Sequence, residues 1–409
     1  MPEGLPLPSS VQFQGKPFDY QEAILSCFFS AQQNGLICVP CGKGKTFMAL
    51  AIAARIGKRF LVIVDKEFLL NQWKGEMEVF FPGLRIGILQ GSRCEVDPEE
   101  YDCTLCMIQT LVQRDFRNSL FQTYGFTIFD ECHHLGASNF SQALLKVQTK
   151  SMLGLSATPQ RDDGLTKVFE WYLGKPVYWE KTREKDTTVQ VRSIQFRTKD
   201  AQYLDQPVDF RGEVVLARLL TNVVECASRT RMIVREIQEL CQEKGRRVLV
   251  LSERKSHLEA MEKLLEDSGL SLSYYIGGMK EAVREEGAKI ARVLLATYAM
   301  ASEAMNIKSL NTVILASPRK KIEQSVGRIL RERPSERKIT PLIVDVVDSH
   351  GMYQGQYRTR RAFYKKCGYT FQSRRYNDDV LEESSEEDSA DSDLEGVVQD
   401  MNACGITDD

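Results

Sequence analysis

Gly35-Leu36-Ile37-Cys38-Val39-Pro40-Cys41-Gly42-Lys43-Gly44-Lys45-Thr46, followed by Phe47-Met48-Ala49-Leu50-Ala51-Ile52-Ala53-Ala54, sets the reading of the chain. An apolar run enters a Gly-containing turn, then Gly-Lys-Thr, then a segment of strong helix propensity. A phosphate-binding loop needs that order: a buried strand, a turn whose bare N–H groups wrap an anion, and a helix N-terminus aimed at it. Lys45 would then reach the β- and γ-phosphates, and the Thr46 hydroxyl would hold Mg²⁺. The strict template asks for glycine at position 39, where the chain has Val39. A strand-turn-helix with incidental glycines is the plain alternative, and partners elsewhere in the chain decide between them.

The 409 residues suffice for two domains with sizeable cores and a tail, and 43% apolar with 27% charged content is that of an ordinary soluble protein. No run approaches the roughly 18 unbroken apolar residues of a membrane helix. The start, Met1-Pro2-Glu3-Gly4-Leu5-Pro6, has neither the basic beginning nor the apolar core of a signal peptide, so an intracellular location and no membrane partner are expected. Net charge is −2 but uneven: residues 378–409 hold 13 Asp and Glu and no Lys or Arg, leaving 54 basic against 43 acidic residues before them. A basic body with an acidic tail suggests a polyanionic partner, although a solvated tail and ordinary surface lysines fit the charge equally well. The 11 scattered cysteines suit free thiols in a reducing compartment. The spacings Cys38/Cys41 and Cys103/Cys106 overlap predicted buried strands and read as core cysteines rather than metal ligands.

Pro17-Phe18-Asp19-Tyr20-Gln21-Glu22-Ala23-Ile24 opens a short amphipathic helix before the first strand. A Gln side chain can present donor and acceptor to an adenine edge, and an aromatic can cover the ring. Residues 35–160 then alternate apolar runs with helical stretches such as Phe68–Phe80. The candidate strands are Phe60–Val64, Arg85–Leu89, Thr104–Ile108, Phe126–Phe129 and Ser151–Leu155. Such alternation implies a parallel sheet covered on both faces, with chemistry beyond the carboxyl ends of its strands. One of those ends carries Asp130-Glu131-Cys132-His133-His134. An acidic pair there is costly unless it meets a cation or solvent. Asp130 can reach the Mg²⁺ bound through Thr46, and Glu131 can orient and deprotonate an attacking water. A second end carries Ser156-Ala157-Thr158-Pro159, whose small hydroxyl residues fit close backbone approach or merely a turn.

Gly42-Lys43-Gly44-Lys45-Thr46, Asp130-Glu131-Cys132-His133 and Ser156-Ala157-Thr158 resemble, in order and separation, motifs I, II and III of superfamily 2 helicases of the DExH type. The loop is similar to the Pro-Cys-Gly-Ala-Gly-Lys loop of XPB-like and UvsW-like helicases and of helicases of large DNA viruses. In that group the first Walker glycine is usually absent, so Val39 is no departure. Phe18 to Gln21 resembles the adenine-reading Q motif, and Arg161-Asp162-Asp163 weakly resembles an Arg-Glu-Asp element.

The resemblance implies a second RecA-like domain. Arg247-Val248-Leu249-Val250-Leu251 restarts strand-helix alternation, with later strands at Val293–Ala296, Thr312–Leu315 and Leu342–Val346. Ser252-Glu253-Arg254 resembles motif IV. Thr297 to Ile307 resembles motif V, with Ala304 and Asn306 in place of its Gly and Asp. Gln324-Ser325-Val326-Gly327-Arg328-Ile329-Leu330-Arg331 matches motif VI; two arginines three apart on one helix face can converge on a γ-phosphate from the opposite domain. Residues 351–376 hold seven Lys or Arg, seven aromatics and no acid, which suits nucleic acid, yet helical spacing favours packing of the aromatics on domain 2. The Glu- and Ser-rich stretch from Glu382 is low-complexity and expected to be disordered, with serines open to phosphorylation.

The expected architecture is α/β, two tandem RecA-like domains, each a parallel sheet covered by helices, with a disordered acidic C-terminal tail. Domain 1 spans 1–185, a connecting segment 186–235, domain 2 236–350, a basic and aromatic element 351–376 and the tail 377–409. The family implies ATP and Mg²⁺ as cofactors, held by Gln21, Gly42, Lys43, Gly44, Lys45, Thr46 and Glu303, with Thr46 and Asp130 on the metal. It implies catalysis by Asp130, Glu131, Gln324, Arg328 and Arg331, and coupling through His133, Ser156 and Thr158. The expected activity is an ATP-dependent helicase or translocase, monomeric, gripping nucleic acid by its backbone, with DNA favoured over RNA and a transcription or repair complex as its setting. A double-strand translocase or transcript-release factor without strand separation, an RNA helicase, and the motor of a restriction-type assembly are the competing readings. A non-enzymatic binding module is disfavoured because Lys45, Asp130, Glu131, Arg328 and Arg331 are all intact.

Overall fold

A computed structural model describes residues 3–40, 42–132, 141–157, 166–180, 185–303, 305, 307, 309–330, 332, 337–378 and 380–382. Two sheets account for the strands. The first contains β1 (Asn34–Cys38), β2 (Phe60–Val64), β3 (Ile86–Gln90), β4 (Arg93–Cys94), β5 (Cys103–Met107), β6 (Phe126–Phe129), β7 (Ser151–Ser156) and β8 (Pro176–Trp179). Its spatial order is β4-β3-β5-β2-β6-β7-β1-β8, parallel except where the two-residue β4 folds back on β3. Strands such as β2, Phe-Leu-Val-Ile-Val, are buried along their whole length, as expected when helices cover both faces.

Three helices organise the site side of this sheet: α1 (Asp19–Ser30), α2 (Lys45–Ile56) and α3 (Glu67–Phe80). In α2, Met48 through Ala53 are buried, and the small alanines let the helix lie close to the strands. Gly57, at φ 64°, ends it in the left-handed conformation that only glycine adopts cheaply. Core packing is continuous from α2 through Phe60, Val62, Phe126 and Ile128 to Trp73 and Met77 of α3.

The second sheet contains β9 (Gln190–Arg197), β10 (Val248–Ser252), β11 (Leu272–Tyr275), β12 (Val293–Thr297), β13 (Thr312–Leu315), β14 (Leu342–Asp348), β15 (Thr370–Asn377) and β16 (Val380–Glu382). Its order is β11-β12-β10-β13-β14-β9-β15-β16, parallel apart from β16. The two RecA-like sheets in tandem match the expected class.

Boundaries within the second half differ from expectation. Residues 190–197, expected in a connector, form a strand between β14 and β15. The helices Leu216–Glu225 and Ala227–Leu240 then pack on that sheet. β9 alternates polar and apolar residues and pairs only with strands far along the chain, so nothing local marks it. The 351–376 element is equally integral: the helix Gly351–Lys366 leads into β15, with Tyr353, Tyr364, Tyr369 and Tyr376 buried. Arg360 there pairs with Asp345 at 2.8 Å, and Arg374 with Glu236 and Glu239, each at 2.7 Å. Packing therefore takes up most of those aromatics, the reading that helical spacing favoured. Val380–Glu382 forms β16, so the strand order extends into the acidic stretch; residues 383–409 lie outside the described residues. Among the described residues, no helix is long and apolar enough to cross a membrane.

Candidate active site

The parallel order β6-β7-β1 brings three strand ends together. Cys38 at the end of β1 is opposite Ser156 at the end of β7, and Phe129 at the end of β6 is opposite Gly154. The Val39 N–H donates to the Ser156 carbonyl at 3.2 Å, which ties the start of the phosphate-type loop to motif III. Beyond it, Gly42 and Gly44 sit at φ 89° and 78°. Gly44 is the N-cap of α2 and, being glycine, brings no capping side chain of its own to the amides of the first turn. This is the arrangement an anion requires.

The entry to α1 packs on this loop. Gln21 is 3% exposed; its Oε1 accepts the Phe18 N–H at 3.0 Å, and its Nε2 donates to the Lys43 carbonyl at 3.2 Å. The Tyr20 hydroxyl donates to the same carbonyl at 3.2 Å. The rings of Phe18 and Tyr20 stack, centroids 6.0 Å apart, and both are solvent-exposed, a flat apolar surface beside the loop. Lys43 lies over the Tyr20 ring and pairs with Glu180 at 3.3 Å.

Lys45 Nζ is 3.4 Å from Glu131 Oε1, so the lysine of the loop meets the second acid of the pair. Glu131 holds φ 44°, a left-handed value unusual for a side-chain-bearing residue and concentrated at functional sites. Asp130 is engaged through both carboxylate oxygens. Its Oδ1 accepts the Glu131 N–H at 2.9 Å, and its Oδ2 accepts the Trp73 indole N–H at 2.8 Å. Burial and then the neighbouring Glu131 push the Asp130 carboxyl up to about 6, against the opposing pull of Lys45. A divalent cation beside it would offset both unfavourable causes, so this donor set fits Mg²⁺ with Asp130 and the half-buried Thr46 as ligands. Among the described residues, no group of three or more His, Cys, Asp or Glu could hold a metal, so phosphate oxygens would have to complete the shell. Cys38, Cys103 and Cys106 are buried, and burial pushes each thiol up, Cys38 to about 12, as core cysteines require.

The remaining predicted residues fall on the second sheet or outside the described residues. Gln324 lies on a helix of only four residues, Glu323–Val326, and Arg328 follows its end rather than extending it. Gly327 and the buried Ile329 take the chain into a turn there. Arg328 Nη1 donates to the Met305 carbonyl at 2.7 Å. Glu303 ends the helix Tyr298–Glu303. His133, Thr158, Asn306, Arg331 and the Arg161-Asp162-Asp163 element lie outside the described residues. Sequence reasoning missed Trp73 and Glu180, because a buried Trp in an amphipathic helix and an acid in a polar stretch carry no signal of their own.

Tandem RecA-like sheets, with a glycine loop and an acidic pair on the first, define a two-domain P-loop nucleotide-binding protein. Residues 14–161 match the family described as type III restriction enzyme, res subunit, and residues 229–333 match the helicase conserved C-terminal domain. A protein of Acanthamoeba polyphaga mimivirus named as an ATP-dependent RNA helicase is 31% identical over 83% of this chain and 65% of its own length. An African swine fever virus protein, also named as an ATP-dependent RNA helicase, is 28% identical over 80% of this chain and 68% of its own. A protein of Escherichia phage T5 named as a helicase is 27% identical over 81% of this chain and 72% of its own length. The chain belongs to the superfamily 2 helicases and resembles those of large DNA viruses. It spans just under two thirds of the mimivirus relative's length.

Proposed function

We propose that the chain hydrolyses ATP to drive movement along nucleic acid, as a helicase or translocase of two RecA-like units divided between β8 and β9. The observation that supports this most is the convergence of Gly44, Lys45, Asp130 and Glu131 beyond the ends of β1 and β6, the two strands that flank β7, with Lys45 and Glu131 3.4 Å apart. The N-terminus of α2 and Lys45 bind the β- and γ-phosphates. Lys45 exchanges its ion pair with Glu131 for those phosphates, and the freed carboxylate accepts the proton of the attacking water. Gln21 takes the adenine edge and the Phe18–Tyr20 pair its face. Asp130 and Thr46 hold Mg²⁺, which neutralises phosphate charge when bound. Arg328 and Arg331 supply positive charge from the second unit, where Gln324 and Glu303 also act, and His133, Ser156 and Thr158 couple the site to movement.

The nucleic acid is held by its backbone, with DNA favoured by the chain's resemblance to XPB- and UvsW-like proteins, in a transcription or repair setting. The names of the mimivirus and African swine fever virus relatives favour the second reading, an RNA helicase. ATPase rate titrated with single-stranded DNA, duplex DNA and RNA separates them, and a strand-displacement assay beside a complex-release assay separates unwinding from translocation. Lys45→Ala and Glu131→Gln should abolish stimulated hydrolysis while the fold survives. Full turnover in well-folded Glu131→Gln would sink the mechanism.

A further inference from the structure

Asp130 is tied twice to one strand-helix unit. Its main-chain N–H donates to the Ile63 carbonyl of β2 at 3.0 Å, and its Oδ2 accepts the indole N–H of Trp73 on α3 at 2.8 Å. β2 runs into α3 through Asp65 and Lys66 alone, so main chain and carboxylate are both held by the same short stretch of fold. The second oxygen, Oδ1, is engaged by the Glu131 N–H at 2.9 Å. Trp73 is fully buried among Met48, Leu70 and Met77, where the indole ring packs as core. A buried indole N–H needs an acceptor wherever it packs, but the acceptor here is the first acid of the pair rather than a backbone carbonyl. Donation to an anion is about twice as strong as donation to a neutral group and fixes the plane of the carboxylate.

We propose that Trp73 is a positioning residue for the cation that accompanies the triphosphate: its N–H sets the rotation of the Asp130 carboxylate and leaves the remaining lone pairs for Mg²⁺. The inference rests on Asp130 as the cation carboxylate. Partners that orient a metal's carboxylate typically matter roughly ten- to a hundred-fold in metal affinity or activity when removed.

The test uses the full chain with Trp73→Phe and with Trp73 replaced by benzothienylalanine, which keeps the ring size but carries sulfur in place of N–H. Binding of a fluorescent ATP analogue is measured with Mg²⁺ and with EDTA, beside the Mg²⁺ dependence of ATPase. Affinity in EDTA should stay within roughly two-fold, while the gain conferred by Mg²⁺ falls roughly ten-fold or more and half-saturation by Mg²⁺ rises to match. In a Trp171→Phe/Trp179→Phe background, Trp73 emission should shift when Mg²⁺ joins a non-hydrolysable ATP analogue and stay still in EDTA. Equal weakening with and without Mg²⁺ would reduce Trp73 to packing, and an unchanged Mg²⁺ gain in both variants would overturn the proposal outright. Asp130→Asn separates the two levels. If it keeps the Mg²⁺ gain, the assignment of Asp130 fails and Trp73 with it; if it loses the gain while both Trp73 variants keep it, only Trp73 is dismissed.

Discussion

Gln21 Nε2 donates to the Lys43 carbonyl at 3.2 Å, and a Cβ added at the next residue, Gly44, would come within 2.7 Å of that same nitrogen. The first helix and the phosphate-type loop are thus built against each other, and a side chain at the turn into α2 would have to displace the Gln21 amide.

Gly44→Ala should therefore lose nucleotide affinity. The left-handed φ of 78° costs a side-chain-bearing residue about 1–2 kcal/mol, and the contact with Gln21 adds to it. Calorimetry with an ATP analogue should show a loss of about ten-fold or more. Gln21→Ala removes the clash but not the strain, so the double variant should stay impaired; its full recovery would assign the effect to Gln21 alone.

Acid stability should depend on His257. The imidazole is buried, and burial, then Arg229, push it from 6.5 down to about 3, while Nδ1 meets the Ser252 hydroxyl at 3.0 Å. Between those values the unfolded chain takes up a proton that the folded chain refuses, so this group's contribution is complete above 6.5 and is lost as pH falls. Urea unfolding should show about 1.4 kcal/mol lost per pH unit below that point from this residue, a slope that His257→Gln removes. Identical slopes in both proteins would place the titration elsewhere.

The second sheet should be sensitive to Arg229. Its Nε and Nη2 donate to Asp348 at 2.7 and 2.9 Å, its Nη1 to the Ala316 carbonyl at 2.7 Å, and the Tyr203 hydroxyl donates to Asp348 at 3.0 Å, all in the buried interior. Arg229→Met leaves a buried carboxylate without its cation and should cost about 3–5 kcal/mol in denaturant unfolding. Arg229→Met with Asp348→Leu should recover a large part of that loss, since the uncompensated charge is what destabilises.

Removing residues 383–409 should strengthen non-specific DNA binding at low salt, by removing a competing polyanion, and the gain should shrink as salt rises. The cut belongs after Glu382, because Asp378 accepts the Ser228 hydroxyl at 3.2 Å and β16 pairs with β15. Equal binding by the two chains at low salt would remove the tail from the account.

The strands read from short runs of apolar and β-branched residues, Phe60–Val64, Phe126–Phe129 and Thr312–Leu315, are those observed, because a strand buried on both faces carries no charged position to blur it. The short edge strand β8 and the amphipathic β9 and β15 escaped notice. Arg374 of β15 looks like a surface residue until Glu236 and Glu239 of a distant helix meet it. The helix expected through motif VI stops at Val326, and Gly327 and Arg328 form a turn instead.

By itself the sequence determined the class: a glycine turn between an apolar run and a helix former, an acidic pair after a second apolar run, and a repeat of the same alternation. Those are local patterns, set by backbone conformational preference and periodicity, and they survive without knowledge of contacts. Only the tertiary structure decided which acid meets Lys45, that Gln21 braces the loop, and that Trp73 holds Asp130. Each of those joins groups on separate elements, and a hydrogen bond is specified by the distance and angle that packing imposes, which no spacing along the chain encodes.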